Sequence, residues 1–306
     1  MGLRIHFCNS TQRYLLTLTM PRLFVDQLTV IDCSILDPDR GLIGASWSVN
    51  IELQGELDNQ SMVFDFAKVK RTIKQVIDQE VDHKLLVPIN YTDLDISGGD
   101  QISILFDDRR QQQIVHQSPA SAVCQIPTER VDKASVIEFL RAAILPSLPS
   151  NVLGLTIELH EEQAQGHYYR YSHGLKKHDG NCQRIAHGHR SQIQIWQDGT
   201  RNSSLERSLS AKWTDIYIGT LDDVVEQSAD RIRFAYTTEQ GYFSLELPAH
   251  RVHMMAADTT VECIADHLLE LIDTQLGSEQ PTNQSAEPLI RVKAFEGIGK
   301  GAIATR

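Results

Sequence analysis

The feature that most constrains the fold of this chain is an internal repeat. Residues 41–53 alternate apolar and polar side chains, as a half-buried β-strand does. The segment Ile43-Gly44-Ala45 can be laid over His187-Gly188-His189, which opens a second alternating segment in the other half of the chain. The sequence therefore predicts two copies of one unit, residues 1–164 and residues 165–306.

Both halves predict the same order of elements, with two strands, two helices and closing strands. The first helices are predicted at residues 65–77 and 220–225, with Asp65 and Thr220 as N-caps. Capping-box patterns predict that the second helices begin at Ser135 and Thr259. Further strands are predicted at residues 152–159 and 289–295, and an inserted hairpin in the first half at residues 101–106 and 112–116.

Histidines are concentrated in the second half, where six of the twelve fall between Leu159 and Arg190. On a strand, His187 and His189 point to the same face and can share one ion, whereas helical spacing would separate them. His173 ends another strand-like run, so an antiparallel partner strand could bring it opposite the pair. Three neutral imidazoles leave a fourth position open, the arrangement of catalytic zinc. The alternative is a set of surface histidines without a metal.

The charge balance argues against a nucleic-acid partner. Twenty-nine basic and 40 acidic residues give a net charge of −11, which does not suit a large phosphate-backbone interface. A small anionic substrate remains compatible, because several basic residues near the histidines could form a phosphate-binding rim, although a solvated loop would look the same. These residues are Lys176, Lys177, Arg184 and Arg190.

Cysteine usage and hydropathy bear on the compartment. The five cysteines contain no CxxC pair, and the start of the sequence lacks the long apolar run of a signal peptide. No segment approaches about 18 uninterrupted apolar residues, which predicts that no helix spans a membrane. We therefore expect a reduced, cytoplasmic protein.

The histidine cluster resembles the motif of a known family. His173, then Cys182, then His187-Gly188-His189 is similar to the zinc-and-cysteine motif of the 6-pyruvoyltetrahydropterin synthase and 6-carboxytetrahydropterin synthase family. In the first half, residues 62–66 and the pair Asp82-His83 resemble two further motifs of that family. The resemblance covers most of the chain.

The motifs of the resembled family are divided between the halves. The second half has the zinc histidines and the cysteine but no Asp-His pair around residues 213–219. The first half has the pair, but it carries Ile43 and Ala45 where histidines are expected. In the family the active site lies between subunits. The division therefore implies one composite site, to which each half supplies what the other has lost.

The resemblance implies a role for each site residue. His173, His187 and His189 would bind Zn²⁺, Cys182 would act as the base, and His83, oriented by Asp82, would relay protons. The alternatives are a Cys182 that is incidental or a fourth zinc ligand, and an Asp82-His83 pair that is an ordinary ion pair at a helix C-terminus.

The resemblance also implies a glutamate that anchors the pterin ring by accepting two parallel hydrogen bonds. Glu161 is predicted for this role ahead of Glu162, because the segment around them resembles the late strand that carries the family's glutamate. Glu296 matches the same motif in the second half and is, like Glu162, a less favoured candidate; the alternative for Glu296 is a structural role. Spacing alone would favour a solvated Glu-Glu pair.

The substrate implied by the resemblance is 7,8-dihydroneopterin triphosphate. The predicted activity is that of a zinc-dependent lyase that forms 6-carboxy-5,6,7,8-tetrahydropterin for 7-deazapurine synthesis of the queuosine type. The alternatives are 6-pyruvoyltetrahydropterin synthase activity and a non-catalytic pterin- or metal-binding paralogue. Cys182 counts against the family branch that produces a folate precursor, because that branch uses glutamate at this position.

The resembled fold is the α+β tunnelling fold (T-fold), here as a tandem of two units. Antiparallel sheets with helices on one face close into an oligomeric barrel in that fold. Unpaired sheet edges also favour association on physical grounds. We therefore expect a homo-oligomer, and a trimer of chains would reproduce the six-unit assembly common in the family.

Overall fold

The computed structural model describes residues 20–163, 166–279 and 288–306. The elements of the first half are β1 (Arg22–Asp37), β2 (Gly41–Gly55), α1 (Phe66–Glu80), β3 (Leu85–Pro88), β4 (Leu94–Gly98), β5 (Gln101–Asp107), β6 (Gln113–Pro119), β7 (Val123–Ile126), α2 (Lys133–Ile144) and β8 (Val152–His160). We propose the unit boundary in the link after β8, part of which lies outside the described residues.

The second half repeats this order of elements. They are β9 (His167–His173), β10 (His187–Gln197), β11 (Thr200–Arg201), α3 (Ser203–Lys212), β12 (Thr214–Thr220), β13 (Val224–Gln227), β14 (Arg231–Thr238), β15 (Gly241–Pro248), β16 (Val252–Met255), α4 (Val261–Glu279), β17 (Ile290–Phe295) and β18 (Gly301–Thr305).

The sheets of the two halves share one topology. The first has the strand order β7, β3, β1, β2, β8, and the second has β16, β12, β9, β10, β17, β18, with the short β11 on β10. The central strands are antiparallel, but β3 and β7 run parallel to β1, and β12 and β16 run parallel to β9. The sheets are therefore mixed. Parallel pairing is possible here because long connections precede these strands.

Two helices cover one face of each sheet. In α1, the residues Val69, Ile73 and Ile77 recur at helical spacing and are buried against the first sheet. The carboxylate of Asp65 caps this helix by accepting a hydrogen bond from the main-chain N of Lys68, which confirms the predicted N-cap. Helices α3 and α4 pack on the second sheet in the same way, and the α+β prediction is confirmed.

Three predicted helix starts are wrong. Residues 221–223 form a single 3-10 turn followed by β13, and the helix equivalent to α1 is α3, which Asn202 caps. Only Leu205 and Leu209 are apolar and buried in α3, too short a stripe to detect in the sequence. Asp132 caps α2, with Ser135 at the third helical position. Helix α4 begins one residue later than predicted from Thr259.

The inserted strands of both halves form a third sheet. Its order is β13, β14, β15, β6, β5, β4, and the join is the antiparallel pairing of β15 with β6, in which Leu245 faces His116. The predicted hairpin of the first half is present as β5 and β6. Its counterpart in the second half was not predicted. Because each half supplies three strands, the two units share one core beneath this sheet.

Small residues line the closest approach of the two units. The Oγ atoms of Ser34 in β1 and Ser172 in β9 are 2.7 Å apart in a buried hydrogen bond. A Cβ atom on Gly188 would lie 2.8 Å from the Cα atom of Gly44. Ser34 pairs with Gly44 as Ser172 pairs with Gly188. Equivalent residues of the repeat therefore meet each other, which supports the superposition of Gly44 on Gly188.

The variant Gly44→Ala is expected to destabilise the protein by about 3 kcal/mol or more, at the upper end of the usual cost of overpacking. The added Cβ would overlap the carbonyl oxygen of Tyr171 and lie 2.6 Å from the main-chain N of His189. Urea unfolding measures the effect. The control is Gly99→Ala, whose Cβ meets no atom within 4 Å and which should stay within about 0.5 kcal/mol of the wild type. Equal stability of the two variants would contradict this close packing.

The cysteines and the helices bear on the environment expected from the sequence. The cysteines Cys33, Cys124, Cys182 and Cys263 are free, and Cys8 lies outside the described residues. In the parts of the chain described above, no helix is both long enough and apolar enough to cross a membrane.

Candidate active site at the junction of the two units

Three histidines of the second unit form a buried cluster. His173 at the end of β9 pairs with His187 at the start of β10, and His189 follows on the same face of β10. One possible ligand atom of each lies within 4.8 Å of the others. Strand pairing therefore brings together the three residues that the sequence predicts as metal ligands.

Main-chain carbonyl groups orient two of these histidines. His173 Nδ1 lies 2.9 Å from the carbonyl oxygen of Thr259, and His187 Nδ1 lies 3.0 Å from that of Arg184. Because a carbonyl oxygen only accepts, each Nδ1 carries the proton and each Nε2 keeps its lone pair. Burial lowers the pKa of both His173 and His187 well below 6.5. Both are therefore in the neutral form that binds metals.

The unpaired nitrogen atoms of the cluster fit a metal ion. Within the described ranges, no hydrogen bond reaches Nε2 of His173, Nε2 of His187 or either ring nitrogen of His189. A buried nitrogen without a partner is unfavourable, and a bound ion would satisfy it. Three imidazole donors suit zinc and leave a fourth coordination position for a substrate oxygen. The residues present therefore fit the predicted zinc ion.

The Asp82-His83 pair lies in the turn that follows α1. Asp82 Oδ2 is 2.7 Å from His83 Nδ1. The main chain of Asp32 holds both residues, since its N donates to Asp82 Oδ1 at 2.8 Å and its carbonyl oxygen accepts from His83 N at 2.7 Å. His83 has a φ of +55°, a conformation uncommon outside glycine. The surrounding contacts therefore impose a strained turn at this residue.

His83 of the first unit faces the cysteine and the histidine cluster of the second. Its ring centroid is 5.4 Å from that of His187, and its side chain is close enough to that of Cys182 for the two groups to interact electrostatically. Burial disfavours the charged form of His83, but hydrogen bonds to Asp82 and Cys182 outweigh it and raise its pKa to about 10. The predicted relay and the predicted base are thus adjacent within one chain.

Cys182 lies in a 3-10 turn, Asn181–Gln183, between β9 and β10. Its carbonyl oxygen accepts a hydrogen bond from the main-chain N of Leu175 at 2.9 Å, which closes the loop between the two strands. Among the described residues, the cluster of possible metal ligands contains the three histidines and not Cys182. The geometry therefore supports a cysteine beside an open metal position over a fourth ligand.

The equivalent location on the other side of the junction has lost these groups. The positions equivalent to the three histidines belong to the apolar core of the first unit; they are Ile35, Ile43 and Ala45. Asp215 of the second unit is the equivalent of His83 in the repeat, and the two residues have similar φ values of +57° and +55°. The carboxylate of Asp215 is ion-paired with Arg40. Within the described residues, the predicted groups therefore come together on one side of the junction and not on the other.

Glu161 and Glu162 are both engaged in polar contacts. Glu161 Oε1 accepts a hydrogen bond from Arg170 at 2.7 Å, and Glu161 Oε2 lies 3.3 Å from Arg190 Nε. These two arginines lower the pKa of Glu161 against the opposing effect of burial. Glu162 accepts a hydrogen bond from Gln192 at 2.7 Å. Neither carboxylate is therefore free of protein partners.

Glu296 lies beside the histidine cluster. Its Oε1 atom is 4.0 Å from His189 Nε2. It is the equivalent of Glu161, because Leu159 faces Val49 in the first sheet as Ala294 faces Ile193 in the second. A less favoured candidate for the anchor is thus the glutamate beside a predicted metal ligand.

The predicted phosphate rim is largely paired with acidic groups. Lys176 Nζ is 3.2 Å from Asp223 Oδ1, and Lys177 Nζ is 2.7 Å from Asp258 Oδ2. Arg184 instead reaches across the junction, where its Nη1 lies 3.3 Å from the carbonyl oxygen of His83. Arg184 therefore links the loop that carries Cys182 to the turn that carries Asp82 and His83.

Sequence reasoning missed three residues around the cluster. Asp32 Oδ1 is 3.2 Å from His189 Nδ1, and Lys300 Nζ is 3.1 Å from Asp32 Oδ2. Thr259, predicted only as a helix cap, contacts His173 with its carbonyl oxygen and its hydroxyl. The one available signal was Asp32, a single carboxylate within the apolar run of residues 28–36.

Comparison with known proteins gave one family and several solved structures. The model of the 6-pyruvoyl tetrahydropterin synthase family matches residues 32–139 and 164–306. A 6-pyruvoyl tetrahydropterin synthase of Plasmodium falciparum shares 16% identity, covering 48% of this chain and 94% of its own, with a TM-score of 0.39. The enzyme of Plasmodium vivax shares 22% identity with the same coverage and a TM-score of 0.37. No curated protein matched the chain.

Proposed function

The chain belongs to the 6-pyruvoyl tetrahydropterin synthase family, and from that membership we propose that it is a zinc-dependent lyase. Members of the family are lyases with the tunnelling fold. The proposed reaction converts 7,8-dihydroneopterin triphosphate to 6-carboxy-5,6,7,8-tetrahydropterin, with release of triphosphate and a two-carbon aldehyde. The product would serve 7-deazapurine synthesis of the queuosine type.

The observation that carries this proposal is the composite arrangement within one chain. His83 belongs to the unit without metal ligands, and it contacts Cys182 and packs against His187 of the other unit. A non-catalytic product of gene duplication would not need a strained, partly buried histidine beside a cysteine of the other half. The division of parts between the units therefore favours catalysis over a non-catalytic binding protein.

The proposed chemistry needs removal of carbon-bound protons next to two hydroxyl groups of the substrate side chain. A zinc ion held by His173, His187 and His189 would supply Lewis acidity to those hydroxyls. Cys182 would accept a proton from the adjoining carbon. His83, whose pKa of about 10 favours the cation at neutral pH, would stabilise the thiolate and return a proton to the product.

We propose Glu296 as the residue that anchors the pterin, in place of Glu161. Its carboxylate lies 4.0 Å from His189 Nε2, whereas that of Glu161 is bound by Arg170 and Arg190. A carboxylate that no arginine of the described residues occupies can accept hydrogen bonds from the two parallel N–H groups of a pterin. A ring held there would present its side chain to the open metal position.

The variant Glu296→Gln is expected to lower kcat/KM by roughly ten- to a hundredfold, since a hydrogen bond to a charged group contributes about 1.5–3 kcal/mol. Steady-state kinetics with dihydroneopterin triphosphate measures the loss. Glu161→Gln is the matched control, because it changes the equivalent residue of the other unit, and it should retain near wild-type kinetics. The opposite ranking of the two variants would restore Glu161 as the anchor.

We also propose a homo-oligomer, with three chains supplying six units. Strands β8 and β18 are the outer strands of their sheets within the described residues, and they carry exposed apolar side chains, Leu153 and Ile303. Unpaired edges of this kind favour pairing with another chain. Light scattering is expected to give three times the chain mass of 34.5 kDa. A mass of one chain would contradict the proposal.

Product analysis tests the proposed function directly. The zinc-loaded protein is incubated with dihydroneopterin triphosphate, and the products are identified by mass spectrometry. A 6-carboxypterin product with acetaldehyde would support the proposal, and a 6-pyruvoyl product would keep the site but change the pathway. No turnover by a protein with bound zinc would favour a pterin- or metal-binding role.

A further inference from the structure

Asp32 is a buried carboxylate in the unit that has no metal ligands. It lies near the middle of β1, and its side chain is 2% exposed. Burial of an ionised carboxylate is strongly unfavourable unless partners compensate for the lost water. The groups around Asp32 therefore indicate why this position is charged.

Three side chains from both units surround the Asp32 carboxylate. Oδ1 accepts a hydrogen bond of 2.5 Å from Ser46 Oγ and lies 3.2 Å from His189 Nδ1. Oδ2 lies 3.1 Å from Lys300 Nζ. These three partners compensate for the water that the buried carboxylate loses, and one of them, His189, is a ring that we assign to the metal cluster.

We propose that Asp32 is a positioning residue for the metal ligand His189, and this inference rests on the proposed metal site. A carboxylate facing Nδ1 fixes the proton on that atom and leaves Nε2 to bind the ion. The contact has hydrogen-bonding distance, although its alignment falls short of a hydrogen bond. His173 and His187 use carbonyl groups of their own unit instead.

The other side of the junction supports this assignment. By register, the equivalent of Asp32 is Arg170, since Asp32 precedes Ser34 by two residues as Arg170 precedes Ser172. Arg170 donates to the carbonyl oxygen of Gly44 and to Glu161. An acidic residue therefore stands at this position only where the facing unit presents a histidine.

Asp32 also connects the metal cluster to the relay. Its main-chain N and carbonyl oxygen hold Asp82 and His83, at 2.8 and 2.7 Å, while its side chain faces His189. One residue of the first unit thus sets the position of a relay turn and of a metal ligand. This double contact explains why the unit without metal ligands keeps a carboxylate in an apolar strand.

The test measures metal binding and not turnover. Zinc affinity is determined by chelator competition, and the ligand field by the visible absorption of the cobalt-substituted protein. Asp32→Asn is expected to weaken zinc binding about 10- to 100-fold, the usual effect of losing an outer partner of a ligand, and to shift the cobalt spectrum. Ser46→Ala removes a hydrogen bond to the Asp32 carboxylate but leaves the carboxylate in place. A smaller loss of zinc affinity is therefore expected. This variant provides the test if Asp32→Asn does not fold.

Two controls separate positioning from structural support. Asp37→Asn alters another buried carboxylate of β1, bound by Arg130, and should leave zinc affinity and the cobalt spectrum unchanged. Lys300→Met removes the ion pair but keeps the carboxylate and should also preserve the spectrum. Wild-type affinity and spectrum in folded Asp32→Asn would overturn the inference, as would an equal loss in Lys300→Met. If the wild-type protein bound neither zinc nor cobalt, both the proposed function and this inference would fail.

Discussion

Replacement of His83 by alanine is expected to lower the turnover of 7,8-dihydroneopterin triphosphate by about 10²–10⁴-fold, the usual contribution of a positioned acid or base. The zinc content should stay intact, because His83 belongs to the unit without metal ligands and packs beside His187 without being one of the three predicted ligands. Turnover and bound zinc are measured on the same preparation. A loss of turnover without a loss of zinc is the result expected of a composite site.

Cys182→Ala should give a loss of the same order, and the double variant should be little worse than either single variant. Residues that act as one unit show such strong non-additivity. The control is His160→Ala. It removes an exposed histidine that lies in the first unit, as His83 does, and pairs with Glu158, so it should keep full turnover. Unchanged activity in His83→Ala would rule out the composite site and leave the second unit to act alone.

The repeat and the metal cluster could be predicted from sequence because strand geometry is local. Alternation in β10 directs His187 and His189 to one face, and a single antiparallel partner is enough to bring His173 opposite them. The Gly44 and Gly188 equivalence followed from the same pattern. These predictions needed neither the order of the strands nor the contact between the units.

The other elements depend on packing that the sequence does not display. Helix α3 has only a short apolar stripe among serines and charged residues, so the helical spacing of its apolar side chains cannot be recognised in the sequence. The third sheet forms only because β15 of one half pairs with β6 of the other, a contact between residues more than a hundred positions apart. Pairings of this kind leave no local signal in either strand.

The role of Asp32 and the choice between the predicted glutamates depend on tertiary structure in the same way. Asp32 matters because β1 of the first unit passes beside His189 of the second. Glu296 and Glu161 are equivalent in the repeat, and only their surroundings differ, with one beside the cluster and the other between arginines. Motif matching finds both glutamates, but only the packing at the junction places one of them beside the histidine cluster.

Replacement of His187 by alanine is expected to abolish metal binding and turnover together, in contrast to His83→Ala. Zinc should stabilise the wild-type protein by about 4 kcal/mol at a free concentration a thousandfold above its Kd, because it binds the folded state alone. The variant should lose this stabilisation yet remain folded, since the pairing of β9 with β10 continues to Ile193 and His167 without the imidazole.

Thermal unfolding with and without zinc measures the effect, and His253→Ala is the control. His253 is a partly buried histidine of the same unit that is hydrogen-bonded to His267, outside the cluster. Its variant should keep the full response to zinc. A response that survived in His187→Ala would mean that the metal binds elsewhere. In that case the buried, unpaired nitrogen atoms of His173 and His189 would need an explanation other than ligation, and the role assigned to Cys182 would lose its basis.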